Sequence, residues 1–379
     1  MYIGCFGSGL GHATRMLEIA DLLRTSGVQV RFSSSGEVVD FVERRGYKCN
    51  RLPLADVQYG ENGEMSLRAT MAESPKILAR TYRQVYLEVG NLKGFQPDLV
   101  LSDSAISTVF AARSLKLRVY TILNQLNLNA RTSNAGVGVS LLSGGTSAGV
   151  AKIWEMSEAI LLPDLPPPYT ISESSLWAGK VKSVRYIGFL TGSEGGGNDA
   201  VSSAFKAEPR PKVFWQVSGP PQTRGPFIRA AKAIASALAG VYAFVVTEGD
   251  PNASRVPVRI KGGWAYGWCG VSQAYFDHCN IVVSRAGHGT IARAITASKP
   301  SLLVPITNQS EQEGNAAKAA KLGVSITVKQ ESLNVESFRR AVEALSREPY
   351  PSRAARLGKI ARNYDAKRTI TSLVSSVRT

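Results

Sequence analysis

Cysteine is scarce in this chain and shows no pattern. Cys5, Cys49, Cys269 and Cys279 are its four cysteines, scattered without a paired CxxC spacing. That excludes a disulfide framework and a cysteine-built zinc site, and leaves ordinary reduced thiols. Histidine is scarcer, at three residues, so histidine chemistry has few positions to rest on. No apolar run approaches the ~20 residues that cross a bilayer. The apolar start MYIGCF runs straight into glycines, with neither a basic leader nor a cleavage site. A soluble, cytoplasmic chain is therefore expected. No DxD pair closes a predicted strand, so neither a divalent metal nor a cofactor is expected. Finger motifs and aromatic RNA-binding strands are missing too, which argues against nucleic acid as a partner.

Positive charge is present in excess. Forty-five Lys and Arg against twenty-nine Asp and Glu give a net charge of +16. An anionic membrane surface or a phosphorylated substrate would suit that balance, as would a basic surface that only keeps the protein soluble. A length of 379 residues exceeds one ordinary core, so two domains are expected. The pattern agrees. MYIGCF reads as a strand, followed by a helix with Met16, Ile19, Ala20 and Leu23 on one face and a stop at Gly27. VQVRF, EVVDFVERR, PDLVLSD, AISTVFAARSL and LRVYTIL continue the alternation. Two basic helices are expected between Gln58 and Phe95, and a small, polar ligand loop over 126–150.

After a hinge near LPDLPPPYTI and the glycines at 195–197, the alternation restarts with KVFWQVSG, GPFIRAAKAIASALAG, YAFVVTEG, NIVVS and PSLLVPI. The fold class is thus α/β, with two doubly wound, Rossmann-like domains facing each other across a cleft. The expected boundaries are 1–190 for an acceptor domain and 191–351 for a donor domain. Residues 352–379 are expected to form a helix that packs back on the first domain.

The loop GSGLGH departs from a dinucleotide fingerprint, because His12 takes the place of its third glycine. The next strand, RFSSSG, also lacks a ribose-gripping acid. What remains is a glycine loop at a helix N-terminus, which favours anions. It carries a histidine, a residue type that titrates near neutrality and can accept a proton from a hydroxyl. A helix-capping histidine in a tight turn is the plain alternative. Asp103 closes the PDLVLSD strand, where a carboxylate can orient a histidine or cap the next helix. In VVSRAGHGTIARA, Arg285, the amides of Gly287, His288, Gly289 and Thr290, and the Thr290 hydroxyl would converge on one anion, as a departing diphosphate requires. A strand–turn–helix of purely structural purpose has the same outline.

These motifs carry a resemblance. GSGLGHATR resembles the first loop of GT-B glycosyltransferases, particularly those related to the lipid II-forming N-acetylglucosaminyltransferase and the UDP-glycosyltransferases. The resemblance implies that His12 is a general base, or lies beside the acceptor, and that Asp103 partners it. Gly9, Gly11, Asn124 and Gln125 are the candidate acceptor contacts. EQEGNA resembles the DQxxNA and QQxxNA segments of those families. This implies that Glu311 and Gln312 hold the donor sugar while Asn315 braces the helix. Ser218 and Gly219 match a diphosphate-contacting loop, and the aromatic loop GGWAYGWCG stands where relatives cover the base, with Trp264 or Trp268 available to stack. Where relatives carry a ribose-binding glutamate this chain has Arg293. Ribose is then held elsewhere, with Glu313 as a candidate, or the donor's nucleotide is not of the usual uridine type; alternatively, Arg293 adds a phosphate contact.

The resemblance implies a metal-independent, inverting hexosyltransferase. It would move the sugar of a nucleoside-diphosphate sugar such as a UDP-sugar to a hydroxyl or phosphate of a lipid-linked or small-molecule acceptor. The basic, partly apolar Gln58–Phe95 region and the net charge suit a lipid-linked acceptor with peripheral attachment to the inner face of the membrane. A helical pair with its apolar stripe in the core and its charges solvated has the same pattern. A nucleotide-sugar epimerase and a non-catalytic nucleotide-sugar-binding protein are the rival readings.

Overall fold

The computed structural model describes residues 1–56, 58, 66–124, 152–176, 184–192 and 197–375. Among these, residues up to Gly192 together with Tyr364 onward form one compact unit, and the remainder through Asn363 forms a second.

In the first unit, β1 (Tyr2–Cys5), β2 (Arg31–Ser34), β3 (Cys49–Arg51), β4 (Val100–Asp103), β5 (Val119–Ile122), β6 (Ala159–Leu162) and β7 (Val184–Tyr186) form a sheet ordered β3-β2-β1-β4-β5-β6-β7. Every pairing in it is parallel. β1, β4, β5 and β6 are buried along their whole length, as strands covered by helices on both faces must be. Strand order reverses between β1 and β4, where Cys5 pairs with Asp103. The carboxyl ends of two such strands splay their loops apart, and the crevice between the loops is where doubly wound sheets place ligands. Helix α1 (Gly11–Thr25) follows β1, and its C-terminus is closed by Gly27 at φ 73°, a left-handed position that suits glycine. Helices α2 (Glu37–Arg44) and α4 (Ile106–Ser114) follow β2 and β4.

Between Gln58 and Phe95 the two expected helices are one, α3 (Leu67–Phe95), which runs through Pro75. A proline in a helix interior deprives the carbonyl four residues earlier of its donor. Here the Ser74 hydroxyl donates to the Met71 carbonyl at 2.8 Å, which compensates that loss locally. The buried face of α3 carries Glu88, which has no exposure yet accepts from the hydroxyls of Tyr2, Ser33 at 2.7 Å and Thr108 at 2.5 Å. A buried carboxylate is tolerable when hydrogen bonds replace its hydration, and these three tie α3 to β1, β2 and α4.

In the second unit, β8 (Lys212–Gln216), β9 (Ala243–Thr247), β10 (Val258–Ile260), β11 (Gly263–Tyr266), β12 (Ile281–Ser284), β13 (Ser301–Leu303) and β14 (Ser325–Thr327) are ordered β10-β11-β9-β8-β12-β13-β14. Only the β10–β11 hairpin is antiparallel. Successive side chains of β8 point to opposite faces. Trp215 packs with Phe227, Phe244 and Phe338 on one side, stacked on Phe338 at 5.7 Å, and Phe214 packs with Tyr275 and Phe276 on the other. Each such ring buried contributes about 2–3 kcal/mol. Here the switch point falls between β8 and β12. The aromatic stretch read as a base-covering loop contains strand β11, Gly263–Tyr266, at its start. Trp264 lies within β11, where the Arg259 guanidinium covers it at 4.7 Å, and Trp268 is buried.

The helical tail divides. Tyr350–Ala361 packs with the helix His288–Thr296 in the second unit, whereas Ala366–Ser375 packs on α1 in the first. Lys367 reaches Glu18 there at 2.6 Å.

Candidate active site

At the switch point of the first sheet the loop after β1 and the end of β4 meet. Gly9 takes φ 73°, which lets the chain turn into α1 without side-chain strain. Gly11 opens the helix, with open space around its Cα. No side chain caps α1 and no acid stands in its first turn, so its N-terminal amides face outward with their partial positive charge. His12 is the second helical residue. Its Nδ1 lies 2.9 Å from Asp103 Oδ1, and its ring meets Phe6 edge-on at 5.6 Å. The imidazole side chain keeps 23% exposure while Asp103 has none.

The capping alternative for Asp103 is not realised. α4 begins at Ile106 behind Ala105, and no side chain caps it. The carboxylate instead serves α1, because Asp103 also takes a two-point contact from Arg15. Nε of Arg15 donates to Oδ2 at 2.6 Å, and Nη2 donates to Oδ1. Burial raises the Asp103 carboxyl, but the Arg15 guanidinium and then His12 outweigh it and hold the group at about 2. Asp103 is thus an anion throughout the physiological range.

Arg15 also lies 3.1 Å from His12 Nδ1. A guanidinium can only donate and a carboxylate can only accept, so two arrangements compete. In one, Nδ1–H donates to Asp103 and leaves the Nε2 lone pair open. In the other, Nδ1 accepts from Arg15 and Nε2 carries the proton. The shorter distance to Asp103 and its full negative charge favour the first, which is the tautomer of a general base. Arg15 was passed over in the sequence, although it stands one turn after His12, where i and i+3 side chains share a face. Asn124 joins this cluster through Arg15, whose nearest approach to its Oδ1 is 3.4 Å. Gln125 and the 126–150 loop lie outside the described residues.

Beside the dyad the first unit holds a cavity of ≈ 170 Å³. Phe6 and Ser104, which flank His12 and Asp103, line it together with Leu52, Trp154 and, from α3, Thr81 and Gln84.

The second unit's switch point brings the loop after β8 beside the loop after β12. Ser218 is half-buried and Gly219 takes φ 106°, again a glycine position. The helix His288–Thr296 starts behind Gly287 with no side-chain cap. A Cβ on Gly287 or Gly289 would meet nothing within 4 Å, so the loop leaves room for a ligand against the first-turn amides. Gly289 is exposed, Thr290 half-buried and His288 buried. Glu311 is half-buried. Buried Gln312 uses its Oε1 to accept from the Ile306 amide at 3.0 Å. Asn315 braces the turn by donating to the Ala286 carbonyl at 3.2 Å. The buried oxygens Gln216 Oε1, Gln309 Oε1 and Asn315 Oδ1 lack a hydrogen-bond donor among the described residues, and they suit a ligand rich in hydroxyls.

Two arginines depart from expectation. Arg285 is not a phosphate contact as it stands. Its side chain has no exposure, lies 4.4 Å over the Phe227 ring, and donates to the Val304 and Thr223 carbonyls at 3.2 and 3.0 Å and to Gln330 at 2.5 Å. Burial lowers its pKa to about 10. Arg285→Ala should therefore cost about 3 kcal/mol or more in unfolding free energy, from a cavity and the lost hydrogen bonds to Val304, Thr223 and Gln330. The folded variant should keep its affinity for donor in calorimetric titration. A stable variant with weak donor binding would mean that the guanidinium leaves the core to meet a phosphate. Arg293 does not face a ligand either. Its Nη2 donates to Ser272 at 2.9 Å and its guanidinium covers Phe276 at 4.3 Å, fastening two helices together.

Known proteins share this architecture. A model of the glycosyltransferase family 28 C-terminal domain matches residues 270–370, and one of glycosyl transferase family 1 matches residues 1–143. A curated glycosyltransferase of Methanosarcina acetivorans is 27% identical over 374 residues, covering 97% of this chain and 96% of that protein. A Prochlorococcus marinus UDP-N-acetylglucosamine–N-acetylmuramyl-(pentapeptide) pyrophosphoryl-undecaprenol N-acetylglucosamine transferase is 27% identical over 208 residues, covering 47% of this chain and 56% of its own. Among solved structures, the spinosyn rhamnosyltransferase SpnG superposes with TM-score 0.69 at 16% identity, over 98% of this chain and 99% of that one. The Streptomyces glycosyltransferase SsfS6 in complex with thymidine diphosphate gives 0.67 at 18% identity, over 99% of both. With two sheets of this topology and relatives along nearly its full length, the chain is a glycosyltransferase of the GT-B fold.

Proposed function

We propose that the chain transfers a hexose or N-acetylhexosamine from a nucleoside-diphosphate sugar, with inversion and without a metal ion, to a hydroxyl of a lipid-linked or small-molecule acceptor. The pairing of His12 with Asp103 carries this reading. Nε2 of His12 takes the acceptor's proton as its oxygen forms a bond to the anomeric carbon. The bond from that carbon to the diphosphate breaks, and the electron pair leaves on the diphosphate. Asp103 offsets the charge gained by the imidazole. A single displacement of this kind inverts the anomeric centre.

In this reading the leaving diphosphate is met by the Ser218–Gly219 loop and by the amides and hydroxyl of Gly287–Thr290 rather than by Arg285, while Glu311 and Gln312 face the sugar. A uridine or thymidine diphosphate sugar is the donor class that the named relatives support. The net charge of +16 favours the lipid-linked acceptor and attachment to an anionic cytoplasmic membrane face.

A panel of UDP-, TDP- and GDP-sugars tests the proposal. The true donor should raise apparent stability by about 2.7 kcal/mol at a hundred times its Kd. It should also be turned over slowly to free nucleoside diphosphate. Stabilisation by no member overturns the reading, and an isomerised sugar formed without diphosphate release would identify an epimerase.

A further inference from the structure

Among the described residues, helix α3 presents an unpartnered face. Met71, Leu78, Tyr82 and Tyr86 are separated by seven, four and four residues, which sets them along one side of the helix. They are 58%, 71%, 76% and 73% exposed. Burial explains the opposite side, which carries Glu88 and Leu92, but not this one. Arg68 and Lys93 stand in line with the strip, Lys76 and Arg83 beside it and Arg80 farther round the helix, and all five are exposed. Glu73 is the one acid of the helix outside its buried face, and it already pairs with Lys76 at 2.7 Å. Arg68, Arg80, Arg83 and Lys93 make no ion pair among the described residues.

We propose that this face of α3 seats the enzyme on an anionic lipid bilayer. The inference deepens the lipid-linked acceptor reading and rests on it. Leucine, methionine and two tyrosines enter the boundary between headgroups and chains, where an amphipathic ring is at home, and the flanking bases meet anionic headgroups. A second copy of the chain is the poorer occupant, because it would bring five more positive charges against these five. No described helix is long and apolar enough to cross a membrane, so the contact is interfacial. The same helix supplies Thr81 and Gln84 to the cavity beside the dyad. An acceptor anchored in the bilayer would therefore reach His12 along the helix that holds the enzyme to its surface.

Co-sedimentation of the full chain with phosphatidylcholine vesicles, with and without phosphatidylglycerol, tests this. The protein should sediment with the anionic vesicles, fail to sediment with neutral ones, and be released by added salt. The double variant Arg68→Glu/Arg83→Glu should bind at least about 25-fold more weakly, about fivefold per basic residue removed. Leu78→Glu/Tyr82→Glu should weaken binding at every salt concentration. All four positions are exposed and lie outside the cavity and the dyad. Both variants should keep the wild-type melting temperature and the wild-type rate of nucleoside diphosphate release. That solution rate separates failure of this proposal from failure of the transferase reading. Equal binding to neutral and anionic vesicles, binding indifferent to both variants, or a dimer that Leu78→Glu/Tyr82→Glu dissociates would each overturn it.

Discussion

His12→Ala should lower kcat by about 10²–10⁴-fold, the range removed with a positioned general base, and leave the dissociation constant of the donor unchanged. Single-turnover kinetics and calorimetric titration of the donor separate the two quantities. Asp103→Asn should fall in the same range, because a neutral carboxamide would no longer offset the imidazolium and would turn an N–H toward Arg15. The double variant is the sharper measurement. Asp103 touches the reaction only through Nδ1 of His12, at 2.9 Å, so removing both should cost little more than removing His12 alone. Residues that act as a unit are strongly non-additive. A double variant slower than either single variant by the product of their losses would give Asp103 an independent role. A His12→Ala enzyme with half the wild-type rate would place the base elsewhere.

The dyad was legible because both halves sit where pattern and chemistry coincide, one after the first strand and one at the end of the fourth. Strand ends can be read from apolar runs, and the switch point follows from the order in which a doubly wound sheet is built. Arg285 was misread for the complementary reason. An arginine after a strand looks the same in sequence whether it faces a ligand or a ring, and Phe227, Thr223 and Gln330, which hold it, are remote from it along the chain. Arg293 was masked likewise by Ser272 and Phe276. The continuity of α3 was hidden by Pro75, since a single serine hydroxyl, not an apolar period, makes the helix tolerable there. Glu88 gave no signal at all. An isolated glutamate in a basic helix reads as solvated until the hydroxyls of Tyr2, Ser33 and Thr108 are brought to it.

Arg15→Met should change stability and its pH dependence together, which distinguishes a charge partner of Asp103 from a packing residue. In the wild type the folded carboxyl of Asp103 titrates at about 2, below its ordinary value of 3.8. Its contribution to stability is therefore complete above about pH 4 and is lost as pH falls toward about 2. Methionine fills much of the arginine's volume but removes the guanidinium, leaving the buried carboxylate with its own desolvation and His12. Unfolding in urea at neutral pH should show a loss of about 3–5 kcal/mol. The slope of stability against pH between about 4 and about 2 should flatten, because less of the contribution is left to lose. Arg15→Lys keeps the charge but not the two-point fork, so it should restore most of that slope and only part of the stability. A purely packing Arg15 would lower stability equally at every pH and leave the slope between about 4 and about 2 unchanged.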